Sequence, residues 1–217
     1  MTVLDCVRRI KALRLVPVPF VALLVHSRRA ETSVLTWRKP ESWLGYFVTV
    51  LLLAGSVSFG AVPQLLIDTD MLTDCDDVAA LELAFACERK GEARVLAVTV
   101  SSAYPKSVPV VEAVNAFCGR ADVPVGAPKN GTGHRRDDSC FLDKVSAEFP
   151  HAHASNDDAP DAVEVMRRTL AAAEDGSVTL VTLGYLSNVA SLLRSGPDAI
   201  SPLDGRALLA QKVKEWA

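Results

Sequence analysis

The sequence lacks the excess of basic residues that nucleic-acid-binding proteins carry. Its 217 residues include 23 Lys and Arg against 26 Asp and Glu, a formal net charge of −3. A protein that binds DNA or RNA needs a basic surface to neutralise phosphates, so we expect no nucleic-acid partner. Hydrophobic residues make up 49% and charged residues 23%. This composition is typical of globular proteins and argues against a chain that is disordered throughout.

Closely spaced cysteine pairs and internal repeats are also missing. None of the five cysteines forms a CxxC pair, which argues against a structural zinc site. Cys6 lies near the N-terminus, and the other four are Cys75, Cys87, Cys118 and Cys140. We interpret these four as buried free thiols.

Charge is absent between Glu41 and Asp68, and this gap divides the chain into two parts. Residues 1–60 carry a net charge of +5, and the remainder carries −8. Residues 44–54, LGYFVTVLLLA, have the length of a signal-peptide core, and small residues follow as far as Ala61. We therefore expect a basic leader over residues 1–61, with a signal peptide or an uncleaved membrane anchor at about 43–61. The protein would then be exported, to a periplasm or outside the cell, or anchored by a leader that contacts the membrane.

Short apolar segments alternate with amphipathic ones after residue 62. Strands are predicted at residues 65–67, 94–100, 123–125 and 178–182, and helices at 78–87, 108–118, 160–173 and 188–194. This alternation is typical of βαβ units, so we expect an α/β domain with an open, mainly parallel sheet and helices on both faces. Residues 128–160 are predicted to form long surface loops around a short amphipathic piece at 141–149. We interpret His134, His151 and His153 in this region as surface histidines.

Five carboxylates follow the first predicted strand within ten residues. They are Asp68, Asp70, Asp74, Asp76 and Asp77. Ligands of open α/β sheets bind beyond the carboxyl ends of the strands, and the cluster lies at such an end. Carboxylates this close repel one another unless a cation neutralises them, and Ca²⁺ binds six to eight oxygen ligands. A solvated loop at a helix N-terminus would explain one or two of these aspartates, but not the alternation of Asp68 and Asp70.

The spacing of the acidic residues excludes one calcium motif and leaves a second kind of enzyme open. Counted from Asp68, the fifth and twelfth positions of an EF-hand loop would be Leu72 and Ala79, which are not ligands. An Asp-x-Asp after a strand also occurs in phosphatases of the haloacid-dehalogenase type. That motif does not account for Asp76 and Asp77.

Two blocks of sequence resemble the inosine-uridine-preferring nucleoside hydrolases. The first is DTDMLTDCDDVAAL at residues 68–81, whose longer spacing is similar to that of less characterised relatives. The second is LVTLGYLSNVA at residues 180–190, which is similar to the family's strand-turn-helix ending in Gly-x-Leu-Thr-Asn. The resemblance covers about residues 62–217. It implies a calcium-dependent hydrolase that cleaves the N-glycosidic bond of ribonucleosides to ribose and free base.

The resemblance also implies roles for individual residues. Asp70 would bind Ca²⁺ and take a proton from the attacking water. Asp77 would bind the metal through both carboxylate oxygens, and Leu183 through its backbone carbonyl. Asp76 would hold ribose hydroxyls, and Asp68 would support the loop.

Two further residues complete the predicted site, which we expect to take a small-molecule ribonucleoside. Asn188 lies in the second block and is predicted to contact substrate, and Asp74 is predicted to support the loop. Relatives continue beyond the point that matches Ala217, so residues 62–217 would form the N-terminal part of a hydrolase-like domain. We accordingly expect a sheet incomplete at the C-terminus, with an uncovered edge after Val181. A non-catalytic relative that binds metal or nucleosides, and a homo-oligomer, stay open.

Overall fold

The structure, a computed structural model, describes residues 62–129 and 141–217. The predicted leader, His134 and Cys140 lie outside these residues. Within them, no helix is both long enough and apolar enough to cross a membrane.

Strands and helices alternate along the chain. The strands are β1 (Gln64–Thr69), β2 (Arg94–Val100), β3 (Val125–Gly126), β4 (Val178–Thr182) and β5 (Val213–Trp216). The helices are α1 (Asp76–Arg89), α2 (Ser107–Phe117), α3 (Phe141–Glu148), α4 (Ala162–Ala172), α5 (Ser187–Arg194) and α6 (Gly205–Lys212). The predicted strands and helices lie within a few residues of β1 to β4, α1, α2, α4 and α5, because each apolar segment ends at Gly, Pro or a cluster of polar residues. The short amphipathic piece at 141–149 corresponds to α3, whereas α6 and β5 have no predicted counterpart.

The five strands form one parallel sheet in the order β3-β2-β1-β4-β5. The chain moves outward from β1 to β3, then returns to pair β4 with the free side of β1. The neighbouring β1 and β4 therefore lie where the strand order reverses. In doubly wound sheets, the crevice for ligands opens at the carboxyl ends of such strands.

Apolar side chains cover both faces of the sheet. Leu66 packs in one buried cluster with Met166, Leu180 and Leu192, whereas the next residue, Ile67, belongs to a second buried cluster. Successive residues of a strand point to opposite faces, so β1 contributes to both clusters. The predicted α/β fold, with helices on both faces of a parallel sheet, is confirmed.

The expectation of an uncovered edge at β4 is wrong. β5 pairs in parallel with β4, with Val178 opposite Val213 and Leu180 opposite Trp216. The backbone of Ala217 continues this pairing, since its N–H donates to the carbonyl of Leu180 over 2.9 Å. The last residues of the chain thus form the strand that covers this edge of β4.

The three cysteines in the described part of the chain are free, but they are less buried than predicted. Cys75 is exposed, and Cys87 and Cys118 are half-buried. Cys75 comes directly before α1, within a turn of aspartates that faces solvent, so the prediction of a buried thiol is wrong at this position.

Candidate functional site

The carboxyl end of β1 is held by backbone hydrogen bonds from the segments that follow both neighbouring strands. The N–H of Ser101, just after β2, donates to the carbonyl of Thr69 over 2.7 Å. The N–H of Leu183, just after β4, donates to the carbonyl of Asp68 over 2.8 Å. Three segments distant in sequence therefore meet at the edge of the sheet where the acidic loop begins.

Asp68 is fully buried at this edge. Its Oδ1 accepts hydrogen bonds from Thr99 Oγ1 at 2.6 Å and Asn188 Nδ2 at 2.8 Å. Its Oδ2 is also buried and has no hydrogen-bond partner among the described residues. Burial disfavours the charged carboxylate and raises the pKa of Asp68 to about 6.

Asn188 lies under the site rather than on its surface. It is 1% exposed, and its Nδ2 also donates to the carbonyl of Val100 over 2.7 Å. The amide therefore ties the first turn of α5 to β2 and to Asp68. This placement supports the position of Asp68, and a direct contact between Asn188 and substrate stays a prediction.

Met71, in the segment after β1, adopts a left-handed backbone with φ of 39°. This conformation is costly for a residue with a side chain, so it persists only where its surroundings hold it. Met71 is fully buried, its N–H donates to Thr69 Oγ1 over 3.1 Å, and its carbonyl accepts from Ser107 Oγ over 2.9 Å. The turn after Asp70 is thus fixed by both strand β1 and helix α2.

Asp77 lies in the first turn of α1 and is 4% exposed. One of its carboxylate oxygens accepts a short hydrogen bond from Thr69 Oγ1. Burial raises the pKa of Asp77 to about 7, and repulsion from Asp70 and Asp76 contributes in the same direction. The charged form of this carboxylate is therefore unfavourable without a cation nearby.

The structure brings three predicted site residues into one group. Oxygen atoms of Asp74, Asp76 and Asp77 all lie within 4.8 Å of one another. Asp74 and Asp76 are exposed, and a hydrogen bond between their carboxyl groups, with their mutual repulsion, raises the pKa of Asp74. Asp74, predicted only to support the loop, therefore lies within 4.8 Å of Asp77, as Asp76 does.

Asp70 contacts the segment that follows β4. A Cβ atom at Gly184 would lie 2.4 Å from the Asp70 nitrogen and 2.7 Å from the Asp70 Cβ, so only glycine allows this approach. The neighbouring Leu183 is 41% exposed. Asp70, Asp77 and the Leu183 backbone thus all lie at this edge of the sheet. Asp70 is outside the close group of Asp74, Asp76 and Asp77, and the roles of these residues as metal ligands stay predictions.

The acidic loop is not neutralised by the protein. Within residues 62–129 and 141–217, no Lys, Arg or His forms an ion pair with any aspartate of the loop. Every candidate ligand atom is an oxygen, the donor that hard cations such as Ca²⁺ prefer. The residues present therefore fit a divalent cation, and the buried, unpartnered Oδ2 of Asp68 adds negative charge beneath it.

Comparison with known protein families identifies the chain. The family described as inosine-uridine preferring nucleoside hydrolase matches residues 65–206, about two thirds of the sequence. The chain belongs to this family. The match includes both sequence blocks that carry the resemblance, and it favours the hydrolase interpretation over the phosphatase one.

Solved structures share the fold. A plant nucleoside hydrolase, the PpNRh1 enzyme, has a TM-score of 0.50 and 21% identity, over 71% of this chain and 46% of that chain. The effector protein XOO4466 has a TM-score of 0.52 and 19% identity, over 71% of this chain and 42% of that chain. The present chain thus spans less than half the length of either protein. Comparison with curated proteins gives no match.

Sequence reasoning missed the hydroxyl groups that hold the aspartates in this member of the family. Thr69 bonds Asp77, Thr99 bonds Asp68, and Ser107 bonds the carbonyl of Met71. A signal exists for Thr99, because a polar residue within the apolar strand β2 needs a partner when it is buried. It lies directly opposite Asp68 in the register of β1 and β2.

The two histidines in the described part of the chain, His151 and His153, form hydrogen bonds with their own loop and with helices α3 and α2. Both ring nitrogens of His151 contact backbone carbonyls, those of His153 at 2.8 Å and Ser146 at 2.9 Å. His153 Nδ1 lies 2.6 Å from Glu112 Oε1. Both histidines are half-buried rather than free on the surface, so their rings fix the loop after α3.

Proposed function

We propose that the protein hydrolyses the N-glycosidic bond of ribonucleosides, giving ribose and free base, with one Ca²⁺ at the acidic loop. The observation that carries the proposal is the group formed by Asp74, Asp76 and Asp77, which no basic side chain of the described residues neutralises. This group lies at the strand ends where doubly wound sheets bind ligands. Membership of the nucleoside hydrolase family supports the choice of bond and substrate.

The proposed metal ligands are Asp70, Asp77 and the backbone carbonyl of Leu183. When bound, Ca²⁺ would orient the ribose diol and make a coordinated water more acidic. The raised pKa of Asp77 supports this assignment, because a nearby cation would favour the charged form that burial and repulsion disfavour. Ca²⁺ rather than Zn²⁺ is proposed since the donors are oxygens alone.

The protein's own carboxylates would carry the remaining chemistry. Asp70 would accept the proton of the attacking water, and its position is fixed by contact with Gly184. Asp76 would hold the ribose hydroxyls, and Asn188 is retained as a further substrate contact. Cleavage of a glycosidic bond passes through an oxocarbenium-like state, and anionic carboxylates near the sugar stabilise the positive charge that develops there. We also propose export through the leader, on the basis of its sequence alone.

Calcium binding and bond cleavage can be measured separately on the full chain. After removal of metal with a chelator, calorimetric titration measures Ca²⁺ affinity, and a reducing-sugar assay measures ribose released from inosine and uridine. We expect Asp77→Ala to abolish tight Ca²⁺ binding and turnover, and Asp74→Ala to have a smaller effect because Asp74 is exposed. Asp157→Ala, at an exposed aspartate outside the loop, is the control. Unchanged Ca²⁺ affinity in the Asp77 variant would falsify the metal site, and binding without ribose release would indicate a binding protein.

A further inference from the structure

Exposed apolar side chains are concentrated beside the acidic loop. The segment from Leu183 to Leu186 joins β4 to α5, and within it Leu183 is 41%, Tyr185 39% and Leu186 55% exposed. These are three of the seven large hydrophobic residues that are exposed in the described part of the chain. An apolar surface next to a cluster of carboxylates suits a ligand with one polar and one apolar part.

Tyr185 occupies a fixed position within this segment. Its N–H donates to Ser101 Oγ over 3.0 Å, and the same Ser101 hydroxyl donates to the carbonyl of Thr69 over 3.2 Å. Gly184, the preceding residue, packs against the backbone and Cβ of Asp70. The backbone of Tyr185 is therefore held against the end of β1, next to the aspartate proposed as the base.

The side chain of Tyr185 is free to meet a ligand. Its hydroxyl has no hydrogen-bond partner among the described residues, and 39% of the residue is exposed. A neutral aromatic ring offers a flat surface for stacking.

We infer that Tyr185 is a specificity-determining residue whose ring stacks on the planar base of a nucleoside while the acidic loop holds the sugar. The inference rests on the proposed function and adds to it the residue that receives the base. Stacking tolerates any base because every base has a π-face. Tyr185 therefore selects for aromatic bases as a class rather than for one of them.

Binding of a ligand that cannot be cleaved tests this contact. Formycin B is a purine nucleoside with a carbon–carbon glycosidic bond, so it resists hydrolysis, and ribose alone represents the sugar. With Ca²⁺ present, we expect Tyr185→Ala to weaken formycin B binding about tenfold in calorimetric titrations, with ribose affinity unchanged. Tyr185→Phe should keep the affinity for formycin B because it keeps the ring. Leu83→Ala, at an exposed leucine of α1 outside this segment, is the matched control and should leave both affinities unchanged.

Three other outcomes would overturn the inference, and they separate it from the proposed function. If Tyr185→Ala binds formycin B as tightly as the wild type does, the ring does not stack on the base, and the proposed function is unaffected. Equal weakening of formycin B and ribose shows a general disturbance of the site rather than base recognition. A wild-type chain that binds neither ligand in the presence of Ca²⁺ overturns the proposed function and the inference together. Circular dichroism of each variant shows that the fold is retained.

Discussion

Gly184 is the residue at which the segment after β4 packs directly against Asp70. The absence of a side chain lets the segment after β4 lie directly on Asp70, and it sets the positions of Leu183 and Tyr185 on either side. The motif that carries the family resemblance requires a glycine here. The structure supplies the reason, which is close approach of two backbones rather than an unusual φ.

Gly184→Ala should destabilise the protein and weaken Ca²⁺ binding. The added Cβ would lie 2.4 Å from the Asp70 nitrogen and 2.7 Å from Ser101 Oγ, and backbone cannot yield as a flexible side chain does. Overpacking of this kind costs about 1–3 kcal/mol. Urea denaturation and calorimetric Ca²⁺ titration measure the two effects.

Gly196→Ala is the matched control for this prediction. A Cβ at Gly196 would meet no atom within 4 Å, so stability and Ca²⁺ affinity should be close to those of the wild type. If Gly184→Ala behaves like Gly196→Ala, the contact between Gly184 and Asp70 is not as close as described.

At the scale of elements, the loop between α3 and α4 braces the N-terminus of α2. Asn156 is 5% exposed, its Nδ2 donates to the carbonyl of Ser102 over 3.0 Å, and its Oδ1 accepts from the N–H of Val108 over 2.9 Å. From there, Ser107 reaches the strained turn at Met71. A loop predicted only to cover the surface thus supports the turn that follows Asp70.

Asn156→Ala should therefore affect the metal site from a distance. Removing the amide leaves a buried N–H and a buried carbonyl unpaired, at a cost of about 1–3 kcal/mol. We expect a lower free energy of unfolding and several-fold weaker Ca²⁺ binding, because Ser107 is held less firmly against Met71. Ser155→Ala, which removes a hydrogen bond to Asp158 at the surface of the same loop, should change neither quantity. Normal Ca²⁺ affinity in a destabilised Asn156 variant would show that the loop stabilises the fold alone.

The sequence predicted the elements better than the contacts between them. Apolar segments bounded by polar turns locate β1, β2 and β4 to within two residues, because burial in a covered sheet requires such segments. The acidic residues predicted a binding site because they too form a local pattern, close together along the chain. The bond between Ser107 and Met71 joins residues 36 positions apart, and the pairing of β5 with β4 depends on the whole sheet. Neither follows from a local pattern, because both need the three-dimensional path of the chain.

At the scale of the whole molecule, the stability of the fold depends on pH because the charged forms of the buried Asp68 and Asp77 are unfavourable. The pKa of Asp68 is raised to about 6 and that of Asp77 to about 7, both chiefly by burial. A carboxyl group whose pKa is higher in the folded than in the unfolded protein stabilises the fold at pH values below its unfolded-state pKa. This stabilisation is lost as the pH rises through the folded-state pKa. The metal-free protein should therefore become less stable between about pH 4 and pH 7.

Asp68→Asn should remove part of this pH dependence. The amide oxygen can still accept from Thr99 and Asn188, but the residue no longer ionises. At about 1.4 kcal/mol per pKa unit, the metal-free variant should gain up to about 3 kcal/mol at pH 7 relative to the wild type, and little at pH 4. Urea denaturation in chelator at several pH values measures the difference, with Asp157→Asn as the control. A parallel pH profile in wild type and Asp68→Asn would contradict the raised pKa.

The position of β1 in the middle of the sheet has a consequence for the order of events on the ribosome. Asp68 is among the first residues of the domain to be made, but its donor Asn188 follows 120 positions later, and Leu183 and Gly184 come shortly before Asn188. Until β4 has been translated, β1 can therefore pair with β2 on one side but has no neighbouring strand on the other. The site is complete only after β4 has been synthesised and has paired with β1. Metal uptake would thus mark the end of assembly, and a translating ribosome paused before β4 would carry a chain that has all the aspartates of the loop but an unfinished site.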